Sequence, residues 1–260
     1  MNNPDKINEV LKVIENRCSV RAYRSKPLSQ KEIDKIIHGA MRAPTACNMM
    51  QYSILEVKNQ DLKERLVKTC DNQSHIAKAP LVLIFLADVQ RWQDFYRISG
   101  VPEKCKGLNQ KYRTPAESDL LLACCDALIA AQNAVITAES MGIGSCYIAD
   151  IMENIEIHRE MFNLPKWVFP IAMLCFGYPK QDPSKRILTS RFPKKFIHFT
   201  NTYKRFNKEE FSEMFKHIEK ESLVKNAENI GQDYYLQKTG ADFSLEMSRS
   251  VKIAIRDWTG

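Results

Sequence analysis

The stretch Ala77–Asp88, AKAPLVLIFLAD, fixes the reading of the fold. After Pro80 the chain is apolar without a break as far as Ala87, and this is the pattern of a strand buried on both faces. On its N-terminal side lie a second short strand, YSILEV (52–57), and a helix, NQDLKERLVKTC (59–70). On its C-terminal side, Glu117 to Met141 reads as one long helix that is apolar nearly all round, with Gly142 as its C-terminal cap. SCYIAD (145–150) is a strand, NIEIHREMFNLP (154–165) a helix, and WVFPIAMLCFGYP (167–179) a central strand. Strands and helices therefore alternate around a sheet that must be covered on both sides. A helix as apolar as 117–141 needs more cover than one domain of this size gives, and a subunit interface supplies it.

The first residues add two helices. Ile7, Val10, Leu11 and Ile14 keep helical spacing over 5–16. Ser29 and Glu32 form a capping box for a second helix, which Pro44 ends in the turn APTACN. Residues 90–116 carry scattered Gly, Pro and charge, and read as a mobile excursion or lid. After Pro179 the chain turns basic and irregular, and 207–260 reads as amphipathic helices and arms with little core of their own.

Composition narrows the function. The 260 residues are 44% hydrophobic and 27% charged, with net charge +7. The excess lies in the first 200 residues, because 201–260 hold ten basic and ten acidic side chains. A diffuse basic excess suits an anionic ligand, and no nucleic-acid motif accompanies it. The eight cysteines form no C-x-x-C pair, so no metal site is expected and the thiols read as reduced, mostly core-filling residues. MNNPDKINEV has no apolar signal region. LLLACCDALIAAQNAVITA is broken by Asp126, Gln132 and Asn133, so it reads as a buried helix and not a membrane span. A cytoplasmic protein is expected.

The candidate binding residues begin at NRCSVRAY, Asn16–Tyr23. Written as a strand, it points Arg17, Ser19 and Arg21 to one side and Cys18, Val20 and Ala22 to the other. Two guanidinium groups and a hydroxyl on one side make either the solvated face of an edge strand or a phosphate clamp. In APTACN, Thr45 and Asn48 either terminate a helix or hydrogen-bond a flat heterocycle or sugar alcohol. Arg191, in TSRFPKKFIHFTNTY, is one of several cations there. The five histidines show no ligand spacing, and no Ser-His-Asp or Cys-His set is found.

In their order and spacing, NRCSVRAY, APTACNMMQYSILEV, AKAPLVLIFLAD, DALIAAQNAVITAESMGIGSCYIAD and the Arg191 region resemble the nitroreductase family of flavoproteins over residues 7–203. With Gln73 ahead of HIAKAPLVLIFLAD and a C-terminal extension, the chain is similar to the flavin reductase and nitroreductase branch. The resemblance implies an α+β fold, a mixed but mostly antiparallel sheet surrounded by helices, in an intertwined homodimer. It implies a domain over 1–203 and an extension over 204–260 packed on that domain or on the partner subunit. It implies FMN in a cleft between subunits, with Arg17, Ser19, Arg21 and the Cys18 backbone on its phosphate and ribityl chain, joined by Arg191. Thr45, Ala46 and Asn48 would come from the turn, Gln73 would touch the ribityl chain or ring, and Tyr147, Ile148 and Ala149 would line the ring near its N5 atom. The activity implied is ping-pong transfer from NAD(P)H through FMN to nitroaromatics, quinones or flavins, with the chemistry on the cofactor. A family member with a specialised substrate and a non-enzymatic FMN carrier or redox sensor are the alternatives.

Three positions depart from the family pattern. NMMQYS replaces the usual N-x-Q-P-W, Ala149-Asp150 replaces a glycine pair, and Thr189 stands where a lysine is common, with Lys185 or Arg186 able to compensate.

Overall fold

A computed structural model describes residues 8–182, 185–216, 218 and 223–260. In chain order the elements are α1 (Glu9–Asn16), α2 (Gln30–Met41), β1 (Tyr52–Glu56), α3 (Gln60–Thr69), α4 (His75–Lys78) and β2 (Leu81–Asp88). Then come α5 (Gln90–Ile98), α6 (Val101–Gly107), α7 (Glu117–Ser140), β3 (Gly144–Ile148), α8 (Ile155–Met161) and β4 (Val168–Gly177). The last are α9 (Lys208–Phe215), α10 (Ile230–Tyr234) and α11 (Asp242–Thr259). The start expected for the first helix, residues 5–7, lies outside the described residues.

The four strands form one sheet in the order β1-β2-β4-β3, and each pairing is antiparallel. A lone parallel bridge, Ser19 to Ser145, adds the mixed character expected of the sheet. Side chains alternate across a strand, so each strand feeds two layers. From β2, Leu81, Leu83 and Phe85 face a core shared with Ile36 of α2 and with Ala127, Ala130, Ala131 and Ala134 of α7. Val82, Ile84 and Leu86 face the opposite core with Leu66, Ile76, Ile151 and Met173. That double cover explains the unbroken apolar run. Alanines give α7 a flat inner face that sits close on the sheet and on α2: a Cβ on Gly39 would fall 2.0 Å from Thr137 Oγ1. Ser29 caps α2 reciprocally with Glu32, as its spacing indicates.

Residues 90–116 correct the expectation of an unstructured excursion. Two helices occupy 90–98 and 101–107, joined at Gly100, whose φ of 68° is left-handed backbone that glycine takes without a Cβ penalty. The chain divides into two compact units, Met1–Arg186 with Asp242–Gly260, and Ile187–Ala241, so the expected boundary at 203/204 falls inside the second unit. α11 returns to the first unit, where Ala254 and Trp258 are buried with Trp167, Phe169 and Ile155. The second unit has an aromatic core of its own, with Phe206 at 5.3 Å from Phe196 and 5.8 Å from Phe211, ring centre to ring centre.

By length and composition α7 could cross a membrane. Here it is a sheet-packed helix with one uncovered side, on which Leu121 is 66% and Leu122 50% exposed, with Leu128 and Ile129 beside them.

Candidate functional site

Arg17–Arg24 is not a regular strand. It is an extended segment pinned to the sheet at a few points: Val20 N donates to Ser145 O at 2.8 Å, Lys180 N to Ala22 O at 3.0 Å and Arg24 N to Tyr178 O at 2.9 Å. Val20 is the buried anchor, and the side chains around it are exposed or half-buried. Gly144 makes room for it, since a Cβ there would lie 2.5 Å from Val20 Cγ2. Gly144→Ala is expected to push the segment off β3 and to cost about 2 kcal/mol, in the range of overpacked cores. A lower thermal midpoint would show it, and an unchanged midpoint would contradict this packing.

The Cys146 thiol of β3 lies within the electrostatic reach of Arg21, Arg17 and Ser19. Burial pushes that thiol up, and the two arginines and Ser19 oppose it. Arg17 also reaches Tyr147, whose hydroxyl burial pushes up to about 12. Cys18, Ser19, Val20, Arg21 and Ala22 line a cavity of about 260 Å³ with Pro179, Gln181 and Arg186. Arg186 is oriented by a 2.9 Å ion pair with Glu139 that is almost wholly buried. Arg186 therefore brings a cation to the same cavity as Arg21. Beside Arg21 lies His75, buried, with its Nε2 unpartnered, and Ser145 Oγ is likewise buried without a partner. Burial and then the Arg21 charge hold His75 below its ordinary pKa. Sequence reasoning missed His75; nothing in its spacing marks it, because its role comes from proximity to Arg21.

The turn is rigid for a reason that lies 75 and 80 residues away. Cys47, Asn48 and Met50 all take positive φ, between 49° and 56°. Buried Asp126 of α7 holds this conformation: its Oδ1 accepts from Ala46 N at 2.9 Å and its Oδ2 from Gln51 N at 3.1 Å. Thr45 Oγ1 accepts from Met50 N at 3.3 Å, which leaves its O–H free to donate, and Asn48 is exposed. Trp92 of α5 donates to Met49 O at 2.8 Å, so the region expected to be a lid braces the turn instead.

On the other side of β3, Ile148 is buried, Ala149 exposed and Tyr147 half-buried. Gln73 Nε2 donates to Asp150 Oδ2 at 2.8 Å. Glu153, one turn on, is 4% exposed, and its backbone N donates to Asp150 O at 3.0 Å. Burial first, and then Asp150, raise its pKa to about 8. His158 braces this corner through Nδ1 to Ile151 O at 2.9 Å and Nε2 to Thr69 Oγ1 at 2.8 Å. Arg191 lies in the second unit, exposed, and donates to Thr189 Oγ1 at 2.6 Å.

All eight cysteines are free, with Cys70, Cys146 and Cys175 buried. The structure thus gathers Arg17, Ser19 and Arg21 at the β3 edge and joins Gln73 to the segment following Ile148. It holds Thr45, Ala46 and Asn48 on a turn clamped by α7. The set is a cationic, donor-rich edge beside a flat apolar strand, which suits a phosphorylated planar ligand.

Comparison with known proteins agrees with this architecture. The model of the nitroreductase family matches residues 14–178, and the chain belongs to that family. It is 30% identical to "FMN reductase [NAD(P)H]" of Bacillus subtilis, over 76% of this chain and 75% of that protein. It is 31% identical to "Oxygen-insensitive NADPH nitroreductase" of Salmonella typhimurium, over 71% and 70% of the two chains. The structure of NfrA2 from Bacillus megaterium superposes with a TM-score of 0.68 at 29% identity, covering 76% of each chain.

Proposed function

We propose that this protein is a cytoplasmic, homodimeric, FMN-dependent oxidoreductase that draws on NAD(P)H. The observation that carries the reading is the convergence of Arg17, Ser19 and Arg21 at the edge of β3, beside two buried polar atoms without partners, His75 Nε2 and Ser145 Oγ. Arg17, Ser19 and Arg21, with the Cys18 backbone, hold the phosphate and ribityl chain. Thr45, Ala46 and Asn48 hold the ring from the turn, Gln73 meets the ribityl chain or ring, and Tyr147, Ile148 and Ala149 line one ring face. Bound FMN supplies the redox chemistry, accepting a hydride from NAD(P)H and passing electrons to nitroaromatic, quinone or flavin acceptors. The protein's share is to bind, to leave one ring face open to donor and acceptor in turn, and to place donors and positive charge where negative charge develops. Leu121, Leu122, Leu128 and Ile129 form the patch that a second copy covers. Sedimentation at twice the chain mass is the expected outcome.

A specialised acceptor is the second reading, favoured by one observation. Asp150 stands where the family has glycine, and it brings a carboxylate to the ring segment.

The deciding experiment is anaerobic stopped-flow absorbance of FMN-loaded protein mixed with NADPH and, separately, NADH. Rapid bleaching of the flavin band by one of them is expected, and it names the donor. Tight FMN binding with no bleaching by either would overturn the reductase reading in favour of a carrier.

A further inference from the structure

We propose that Arg186 is a further anchor for the phosphate of FMN, a guanidinium held in place by the buried carboxylate of Glu139. The inference rests on the FMN reading above and deepens it, since it adds to Arg17, Ser19 and Arg21 a residue from the segment after β4.

The backbone gives Arg186 its place. After β4 the chain is tied to Arg17–Arg24, where Lys180 N donates to Ala22 O at 3.0 Å and Arg24 Nε to Pro179 O at 2.8 Å. Further on, Arg186 Nη1 donates to Asn16 O at 3.5 Å, the residue just ahead of Arg17. Between these ties lies the cavity of about 260 Å³, and its polar side chains are Ser19, Arg21, Gln181 and Arg186. Its lining residues include no acidic side chain. Sites that hold a whole drug-sized ligand run to roughly 300–1,000 Å³. This cavity is smaller and suits one end of such a ligand. Two guanidinium groups with a hydroxyl make that end an anion.

Glu139 sets the geometry. It stands in the last turn of α7 with its side chain 5% exposed, and its Oε2 accepts from Arg186 Nη1 at 2.9 Å. The Arg186 side chain is itself 11% exposed. A guanidinium spent wholly on structure meets a carboxylate with two parallel N–H donors. Here one nitrogen makes the contact. Arg186 Nε and Glu139 Oε1 are both buried without a partner, and Arg186 Nη2 has none among the described residues. A buried N–H without an acceptor is costly, and a phosphate brings three acceptor oxygens. Glu139 is not a lining residue of the cavity, so an anion there meets the guanidinium ahead of the carboxylate behind it. The ion pair also fixes a long side chain before the ligand arrives, which lowers the ordering cost of binding. A plainer role for Arg186, as a tie between the segment after β4 and α7, uses the same ion pair but gives it no part in holding phosphate.

Fluorescence titrations of the FMN-free protein with FMN and with riboflavin, which lacks the phosphate, separate the two roles without turnover. Arg186→Ala alone strands the Glu139 carboxylate in the interior and costs stability for that reason. The informative variant joins Arg186→Met to Glu139→Leu, which removes the donors and the buried charge together and should keep the wild-type near-UV circular dichroism. Its FMN affinity is expected to fall about tenfold, less than for an arginine with no opposing carboxylate. Its riboflavin affinity should stay within about twofold of wild type, since no phosphate is there to lose a contact. Arg186→Lys keeps the ion pair and the fold but loses the fork, so FMN should weaken about threefold with riboflavin unchanged. A wild-type ratio of FMN to riboflavin affinity in both variants, or equal losses for the two flavins, overturns the proposal. Arg186 is then only a tie between chain segments, and FMN binding by the wild type stands. Wild-type protein that binds neither flavin overturns the functional reading and this proposal with it.

Discussion

Arg21→Ala is expected to weaken FMN binding by about a hundredfold while leaving the thermal midpoint of the FMN-free protein within ~2 °C of wild type. A hydrogen bond to a charged group contributes about 1.5–3 kcal/mol, and roughly 1.4 kcal/mol is a factor of ten. Arg21 is exposed, so the folded protein loses little without it. The ligand loses a guanidinium that can approach phosphate with two parallel N–H donors. Arg21→Lys keeps the charge and loses the fork, so it should recover only part of the affinity. Fluorescence titration of FMN into the FMN-free variants measures this. Equal affinities for wild type and Arg21→Ala would return the segment to its plainer reading, a solvated edge. Alanine at Arg21 also removes a positive charge from beside His75, and the histidine pKa should rise accordingly in an NMR titration.

Much of this architecture is legible in the sequence because its signals are local. The unbroken run Leu81–Ala87 can only be covered on both faces, and it is. The apolar helix 117–141 reads as one long helix, and it forms one, packed on the sheet with Leu121 and Leu122 left exposed. Ser29 and Glu32 are spaced for a capping box and form one. The failures have physical causes too. Gly100 and Pro102 interrupt the periodicity of 90–107, so the segment reads as loop. In the fold, Gly100 is the left-handed joint between two helices and Pro102 sits in the first turn of the second, where its missing N–H costs nothing. The C-terminal helix α11 is amphipathic and reads as an arm. Its burial depends on Trp167 and Phe169, some 90 residues earlier in the chain, and no local pattern announces such a partner. The same holds at the site. NRCSVRAY shows its cations in sequence, while His75 and Glu153 become notable only through neighbours that the fold brings to them.

Asp126 is the clearest case, and its replacement should have the largest effect on the folded protein. In sequence it only breaks an apolar helix. In the fold it is 2% exposed and holds two backbone N–H groups of the turn, one with each oxygen. Asp126→Ala leaves one buried and one half-buried donor without an acceptor, at about 1–3 kcal/mol each, and opens a small void. A net loss of about 4 kcal/mol is expected, or roughly 8–16 °C in thermal midpoint for a chain of this length. Three of the four residues from Cys47 to Met50 take positive φ, and positive φ at non-glycine residues persists only where surrounding contacts enforce it. Without Asp126 those residues relax, and Thr45, Ala46 and Asn48 lose their placement together, so FMN affinity should fall along with stability. Asp126→Asn separates the two functions of the carboxylate. Its amide oxygen can still accept from one N–H while its NH2 opposes the other, so it should recover about half of the lost stability. Thermal denaturation of the FMN-free variants, followed by FMN titration well below the midpoint, reads both quantities. Wild-type stability in Asp126→Ala would mean that the turn holds its shape through Thr45 and Trp92 alone.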